Sequence, residues 1–215
     1  MRTSYAHTII HRIFKESIIF LDMTLQKLHL GCGKSIYPGY INLDIVKTQG
    51  VDVVHNLEVF PYPFKSEQFD VIEAHQVLEH IHNLDGLMKE VARILKKGGK
   101  FKLDVPHFSS NSAYMDPTHC RFFAFTTFDF YVKGHFNSEG YEYSTQHFSR
   151  IRRRIGFYKG GYFWNYLVEP FVNMIIRVGN GHLYEANFLR ALFPAWRVEV
   201  ELIKHDLRRH IRNQI

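Results

Sequence analysis

The stretch Lys27–Asp44, KLHLGCGKSIYPGYINLD, constrains this chain more than any other. Leu28 and Leu30 alternate with Lys27 and His29, the two-residue period of a strand. Gly31 and Gly33 then remove two Cβ atoms where the chain must turn sharply and lets a ligand approach its backbone. Pro38-Gly39 supplies a second turn, and Tyr40–Asp44 reads as another strand, ending in a carboxylate that can accept both hydroxyls of a ribose. Strand, glycine loop, strand and acid in that order is how an open parallel sheet builds a pocket at the carboxyl ends of its strands. A dinucleotide unit shows G-x-G-x-x-G and an acid roughly 20 positions on. Here Lys34, Ser35 and Ile36 follow Gly33, so the third glycine is missing and the acid arrives sooner. On this segment alone, glycines that serve only the turn also explain the pattern.

The following segments extend the sheet. Residues 51–57 (VDVVHNL) read as a buried third strand and residues 69–77 (FDVIEAHQV) as a fourth, separated by the proline-punctuated link EVFPYPFKSEQ. Asn83 has the position of an N-cap. Leu84, Leu87, Met88, Val91, Ile94 and Leu95 recur at helical spacing until Lys96, Lys97 and Gly98 stop the helix. Residues 100–105 (KFKLDV) form the fifth strand. Strands alternating with helical or turn segments imply right-handed crossovers and a parallel sheet.

Taken in order, LHLGCG, INLD, FDVIEAHQVLEHI and LKKGGKFKLDVP resemble the class I S-adenosylmethionine-dependent methyltransferases of the small-molecule, type 11-like kind. The resemblance runs from about Leu25 to Pro106. It implies an α/β fold with a Rossmann-like, seven-stranded mixed sheet, mostly parallel with the last strand antiparallel, in a three-layer α/β/α sandwich. It also implies S-adenosylmethionine as cofactor, over the carboxyl ends of the first, second and fourth strands. Gly31, Cys32 and Gly33 would line its methionine and ribose part, and Asp44 would hold the ribose hydroxyls. Asn56 and Leu57 would border the adenine, and His75 and Gln76 would face the sulfonium end. Three positions depart from the pattern. His29 stands where an acid often precedes the first glycine, Ser35 replaces the loop's third glycine, and Asn56 replaces an aspartate while still offering a side-chain carbonyl.

Methyl transfer is an in-line displacement from an activated sulfonium, so positioning can supply on the order of 7–11 kcal/mol of the barrier reduction. A general base is needed for a hydroxyl or ammonium acceptor, and His75, His107 and His119 are the candidates, although with 14 histidines most must be ordinary residues. Residues 108–148 read as an acceptor-side insertion, rich in aromatics from DPTHCRFFAFTTFDFY through Phe136, Tyr141, Tyr143 and Phe148. These form either an aromatic wall against the acceptor or sulfonium, or a hydrophobic subcore. Within that insertion Asp116, Thr118, His119 and Arg121 form a polar cluster in which Asp116 either orients His119 or caps a helix. His75, His119 and Asp116 are therefore the catalytic candidates. Asp116, His119 and His107 lack the dense spacing of a metal site, and no metal is expected.

With 215 residues, 46% hydrophobic and 22% charged, the chain can bury a full core and reads as one domain over residues 23–215. Two cysteines exclude a disulfide framework, which fits a reducing cytoplasm. Residues 145–215 hold 12 Lys/Arg against 5 Asp/Glu, leaving 15 against 16 elsewhere, so the net charge of +6 comes from the C-terminal third. Arg150, Arg152, Arg153 and Arg154 in a strand and Arg208, Arg209 and Arg212 at the end would serve an anionic acceptor, a membrane surface or RNA, or simply form a solvated face and tail. Residues 1–22 read as an N-terminal helical extension, with Met23 as an alternative start, and the apolar run IIFL is too short to span a membrane. Residues 162–178 suggest a lid or dimer helix, and RVEVELIK at 197–204 an alternating last strand.

AHQVLEH stands where many nucleic-acid and amide N-methyltransferases carry N-P-P-Y, which tilts the expectation towards O-methylation of a small molecule, a saccharide or a lipid-linked precursor. The alternatives are an RNA methyltransferase using the basic C-terminal third, and a non-catalytic protein that keeps the S-adenosylmethionine pocket. The expected partner is a small-molecule, glycan or lipid-linked acceptor rather than nucleic acid, with peripheral membrane contact open, for a monomer or homodimer.

Overall fold

Alternation and glycine placement build a seven-stranded sheet in the order β3-β2-β1-β4-β5-β7-β6. The computed structural model describes residues 25–134, 148–158, 164–179, 181–186 and 188–205. The expected N-terminal extension, the aromatics Phe136, Tyr141 and Tyr143, and Arg208, Arg209 and Arg212 lie outside the described residues. The strands are β1 (Lys27–Leu30), β2 (Ile41–Asp44), β3 (Val53–Val54), β4 (Phe69–His75), β5 (Leu95–Pro106), β6 (Phe148–Gly156) and β7 (Arg197–Lys204). The first five run parallel, and β7 inserts antiparallel between β5 and β6. The helices are α1 (Leu84–Ile94), α2 (Ser112–Met115), α3 (Trp164–Gly179), α4 (His182–Glu185) and α5 (Leu189–Leu192).

The carboxylate-side register is set by pairings such as Leu30 with Leu43 and His75 with Asp104. One face of the sheet carries Leu28, Leu30, Ile72, Ala74, Phe101, Leu103, Val198, Val200 and Leu202, all buried. Helix α1 starts at Asn83, whose Oδ1 accepts the Gly86 N–H at 2.9 Å. It buries Leu84, Leu87, Met88, Val91 and Ile94 in the core that includes this face. Each such side chain contributes roughly 1.5–3 kcal/mol of burial, so one helix face anchors β4 and β5 and with them the end of the sheet where a ligand would sit.

The other face alternates in charge and polarity through Lys27, His29, Glu73, His75, Lys102, Asp104, Glu199 and Glu201. The crossovers 31–40 and 45–52 are too short for helices and run as loops, so on this side the helical layer is reduced among the described residues to Tyr37 and Tyr40. Tyr37 stacks on His29 with ring centroids 4.1 Å apart. The outer edge of β6 is closed by α3: the Asn173 amide donates to the Ile155 carbonyl at 2.8 Å and accepts its N–H at 3.0 Å. A side chain that mimics a strand in this way covers the edge at Ile155, where another chain could otherwise pair.

The third strand is shorter than the apolar run 51–57 suggests. Only Val53 and Val54 pair with β2, because Leu57 turns away to accept the Tyr62 hydroxyl and His55 binds the Val59 carbonyl. Three arginines of the basic row in β6 meet carboxylates: Arg153 meets Asp129, Arg154 meets Glu169, and Arg152 lies 3.8 Å from Glu201.

Candidate functional site

At the carboxyl ends of β1, β2 and β4 lies a cavity of about 320 Å³. Gly31, Asp44, Asn56, Leu57 and Gln76 line it, together with Val77 and His80. Gly31 has φ +61°, and a Cβ there would come within 2.6 Å of a Val77 methyl, so both backbone conformation and packing demand glycine. The Asp44 carboxylate accepts the N–H groups of Gly33 at 2.7 Å and Val46 at 2.9 Å, which ties the glycine loop to the end of β2. Asn56 uses its Oδ1 for the Glu58 N–H, leaving its NH₂ as a donor. Gln76 has φ +53°, a left-handed conformation rare for its type, and is held there by donating Nε2 to Asp104 Oδ2 at 2.7 Å and N–H to the Asp104 carbonyl. An apolar slot with carboxylate and amide groups at its walls fits an adenosine. Cys32 and Gly33 belong to the loop but do not line the cavity.

His75 points to the other, charged face of the sheet. A second cavity of about 520 Å³ on that face is lined by His75, Tyr37, Lys102, Asp104, Arg154 and Arg197, among others. His75 Nδ1 meets Asp104 Oδ1 and its Nε2 lies 3.2 Å from Glu73 Oε2. The hydrogen bond to Asp104, and then that to Glu73, raise its pKa to about 9 against the opposing effect of burial. An imidazolium at neutral pH holds no lone pair for an acceptor proton.

His107, the second histidine candidate, is fully buried. The Ser109 N–H donates to its Nδ1 at 3.1 Å, and its Nε2 donates to Glu185 at 2.9 Å, so it ties β5 to α4. Around it Phe123, Phe125 and Phe128 join the main core, the first and last stacked 5.4 Å apart, while Tyr114 and Phe122 stack at 4.7 Å on the surface.

The D-P-T-H segment is organised differently from a simple Asp–His pair. Asp116 Oδ1 accepts both the N–H and the hydroxyl of Thr118, at 2.8 and 2.6 Å, and Thr118 Oγ1 lies 2.9 Å from His80 Nδ1. Because the hydroxyl proton goes to Asp116, Nδ1 of His80 must be the donor to Thr118, and Nε2 keeps its lone pair. Burial, then the neighbouring His119, lower the His80 pKa. His119 likewise donates Nδ1–H to the Ala113 carbonyl at 3.0 Å. The two rings meet edge-on, 4.7 Å apart. Beside them Glu79 is buried, and burial, which outweighs a contact to its own backbone, pushes its carboxyl up to about 7. Sequence reasoning passed over Glu79 and His80, because QVLEHI continues the apolar run of the fourth strand and reads as its exit. The signal was present only as polar residues inside that run.

Residues 28–103 match the family described as methyltransferase domain. Among curated proteins, the sterol 4-C-methyltransferase strm-1 of Caenorhabditis elegans is 54% identical over 39 residues, which is 18% of this chain and 12% of that protein's length. A SAM-dependent methyltransferase from Archaeoglobus fulgidus has a similar fold, with TM-score 0.55 and 15% identity, over 92% of this chain and 94% of that one. Phosphoethanolamine N-methyltransferase 2 of Haemonchus contortus, solved with S-adenosyl-L-methionine, has TM-score 0.51 and 14% identity, over 85% of this chain and 49% of that one. The matched stretch 28–103, the sheet order and the cavity at the ends of β1, β2 and β4 agree on a methyltransferase domain with the class I fold and with S-adenosylmethionine as cofactor.

Proposed function

We propose that the chain methylates a small-molecule acceptor, in the range of saccharides and lipid-linked precursors, at oxygen. The observation that carries this reading is the cavity in which Gly31, Asp44, Asn56, Leu57 and Gln76 converge and which His80 also lines. Bound S-adenosylmethionine supplies a methyl carbon that the acceptor oxygen attacks as the carbon–sulfur bond breaks and its electron pair returns to sulfur. Asp44 retains lone pairs for ribose hydroxyls, Asn56 offers its NH₂ to the base, and Leu57 provides an apolar wall. Gln76, fixed by Asp104, holds the chain where the fourth strand leaves the sheet. On the acceptor side Nε2 of His80 and of His119 hold lone pairs, and we assign these, rather than the charged His75, to the acceptor hydroxyl, where they take its proton directly or hold its oxygen through a bound cation while the proton leaves to water. Asp116 acts through Thr118 on His80. The exposed Tyr114, Met115 and Phe122 flank this segment and suit an acceptor with an apolar part. Two of the similar proteins are named for small acceptors, a sterol and phosphoethanolamine. The burial of Arg153 against Asp129 withdraws that arginine from an RNA backbone.

Calorimetric titration with S-adenosylmethionine and S-adenosylhomocysteine tests the pocket. Wild type is expected to bind both with micromolar affinity and Asp44→Ala, folded by circular dichroism, to lose at least tenfold. A folded wild type that binds neither overturns the reading. Transfer of isotopically labelled methyl to a panel of hydroxyl, amine and carbon acceptors then tests the oxygen assignment, which fails if label enters only nitrogen or carbon.

A further inference from the structure

We propose that Glu79, His80 and His119 form a binding site for a divalent transition-metal cation at the acceptor end of the cofactor cavity, and that this cation carries the acceptor oxygen. One carboxylate oxygen and two imidazole nitrogens of these residues lie within 4.8 Å of one another. Metal–ligand distances of about 2.0–2.2 Å would draw these atoms together by small side-chain rotations.

Three observations, independent of one another, point to a cation. The first is Glu79: the residue is 1% exposed, and neither carboxylate oxygen has a hydrogen-bond partner among the described residues. A buried carboxylate without partners is costly, and natural structures answer it with protonation, a pairing charge or a metal; two imidazole nitrogens beside it favour the last. The nearby Arg121 does not supply that charge, since its guanidinium is committed to the backbone carbonyls of Ile81 and His82. The second is tautomer control. Ala113 holds Nδ1–H of His119, and the Asp116–Thr118 chain holds Nδ1–H of His80, so both Nε2 atoms present lone pairs. Carbonyl and carboxylate-backed donors on the far nitrogen are how metal-binding histidines are fixed. The third is chain geometry: the single 3-10 turn Leu78–His80 follows β4 directly and sets Glu79 and His80 side by side, while the backbone N–H groups of Cys120 and Arg121 donate to the Glu79 carbonyl and bring the 116–121 segment against them.

Two imidazoles and one carboxylate suit zinc, cobalt, manganese or iron(II) better than magnesium or calcium, and three protein ligands leave positions for an exogenous oxygen. His80 lines the cofactor cavity, so such an oxygen would be presented towards it. This role rests on the methyl-transfer reading, but occupancy of the site does not.

The test is titration of the tag-free full chain with Co²⁺, read by calorimetry and by the visible absorption of the bound ion, with Zn²⁺, Mn²⁺ and Mg²⁺ in parallel. One Co²⁺ per chain is expected, weakened at least tenfold by Glu79→Gln and by His119→Ala, and about 10–100-fold by Thr118→Val, which removes the support for His80. His82→Ala, at a histidine whose side chain is 81% exposed, should leave binding unchanged. A wild-type circular-dichroism spectrum and thermal transition certify that each variant folds, and if Glu79→Gln does not fold, the partly exposed His119 carries the test. A folded wild type without stoichiometric Co²⁺ binding, or with binding indifferent to both His119→Ala and Thr118→Val, overturns the site. Cofactor binding without metal binding sinks this inference alone, whereas metal binding without cofactor binding sinks the methyltransferase reading alone.

Discussion

His75 sits between Asp104 and Glu73, with Lys102, Arg197, His29 and Tyr37 completing its surroundings. The hydrogen bond from His75 is the main reason Glu73 is held down to about 2, while in Asp104 the bonds from His75 and Gln76 outweigh burial and hold its carboxyl below the usual range. A histidine whose folded pKa lies near 9 against about 6.5 unfolded binds a proton more tightly when folded. Its contribution is full below pH 6.5 and is lost as pH rises towards 9. The urea midpoint of the wild type is therefore expected to fall across that window, and Asp104→Asn should flatten the fall. An NMR titration that places His75 near 6.5 would refute this. Nothing in AHQ alone could announce the charge: Asp104 stands 29 residues away, and the parallel register that pairs it with His75 is a tertiary fact.

Between β5 and β6 the chain leaves the sheet, and the 3-10 helix Thr127–Tyr131 returns Asp129 to the inner side of β6. There Asp129 is fully buried against Arg153, whose guanidinium also lies 4.7 Å from the centre of the Phe125 ring. Removing one partner strands a buried charge. Asp129→Ala should cost about 3–5 kcal/mol in urea unfolding, and Asp129→Leu combined with Arg153→Met should recover most of it. An Asp129→Ala loss below about 1 kcal/mol would mean the pair is solvated. The elements with local signals were legible in the sequence: β1, β2, β4 and β7 by alternation or apolar run, and α1 by its stripe and Asn83. The pairings of this insertion were not. RIRRRI reads as a basic strand whichever side its arginines take, and only the pairing of β6 with β7 shows that Arg153 faces inward while Arg152 and Arg154 meet Glu201 and Glu199. The candidate site divides in the same way. Gly31, Asp44, Asn56, Leu57 and Gln76 follow from motif order, whereas Glu79, His80 and His119 meet only because the loop beyond β5 folds back onto the turn after β4.

At the scale of the molecule, the cofactor cavity draws on the ends of β1 and β2, on residues 55–58 and on the turn 76–81 that follows β4, so its walls come from four separate stretches of sequence. Unfolding any of them empties it, and a ligand that binds only the assembled cavity stabilises the entire sheet. At a hundredfold excess over its dissociation constant such a ligand adds about 2.7 kcal/mol, which for a chain of this size raises the melting temperature by about 5–11 °C. S-adenosylhomocysteine is expected to produce this shift in wild type and, at the same concentration, to leave Asp44→Ala near its ligand-free value. Asp129→Ala, which is remote from the cavity, should melt lower yet keep the full increment, because the two effects act on separate parts of the same cooperative unit and add. If the increment vanished in Asp129→Ala as well, the insertion beyond β5 would be holding the cavity in shape rather than merely covering the core.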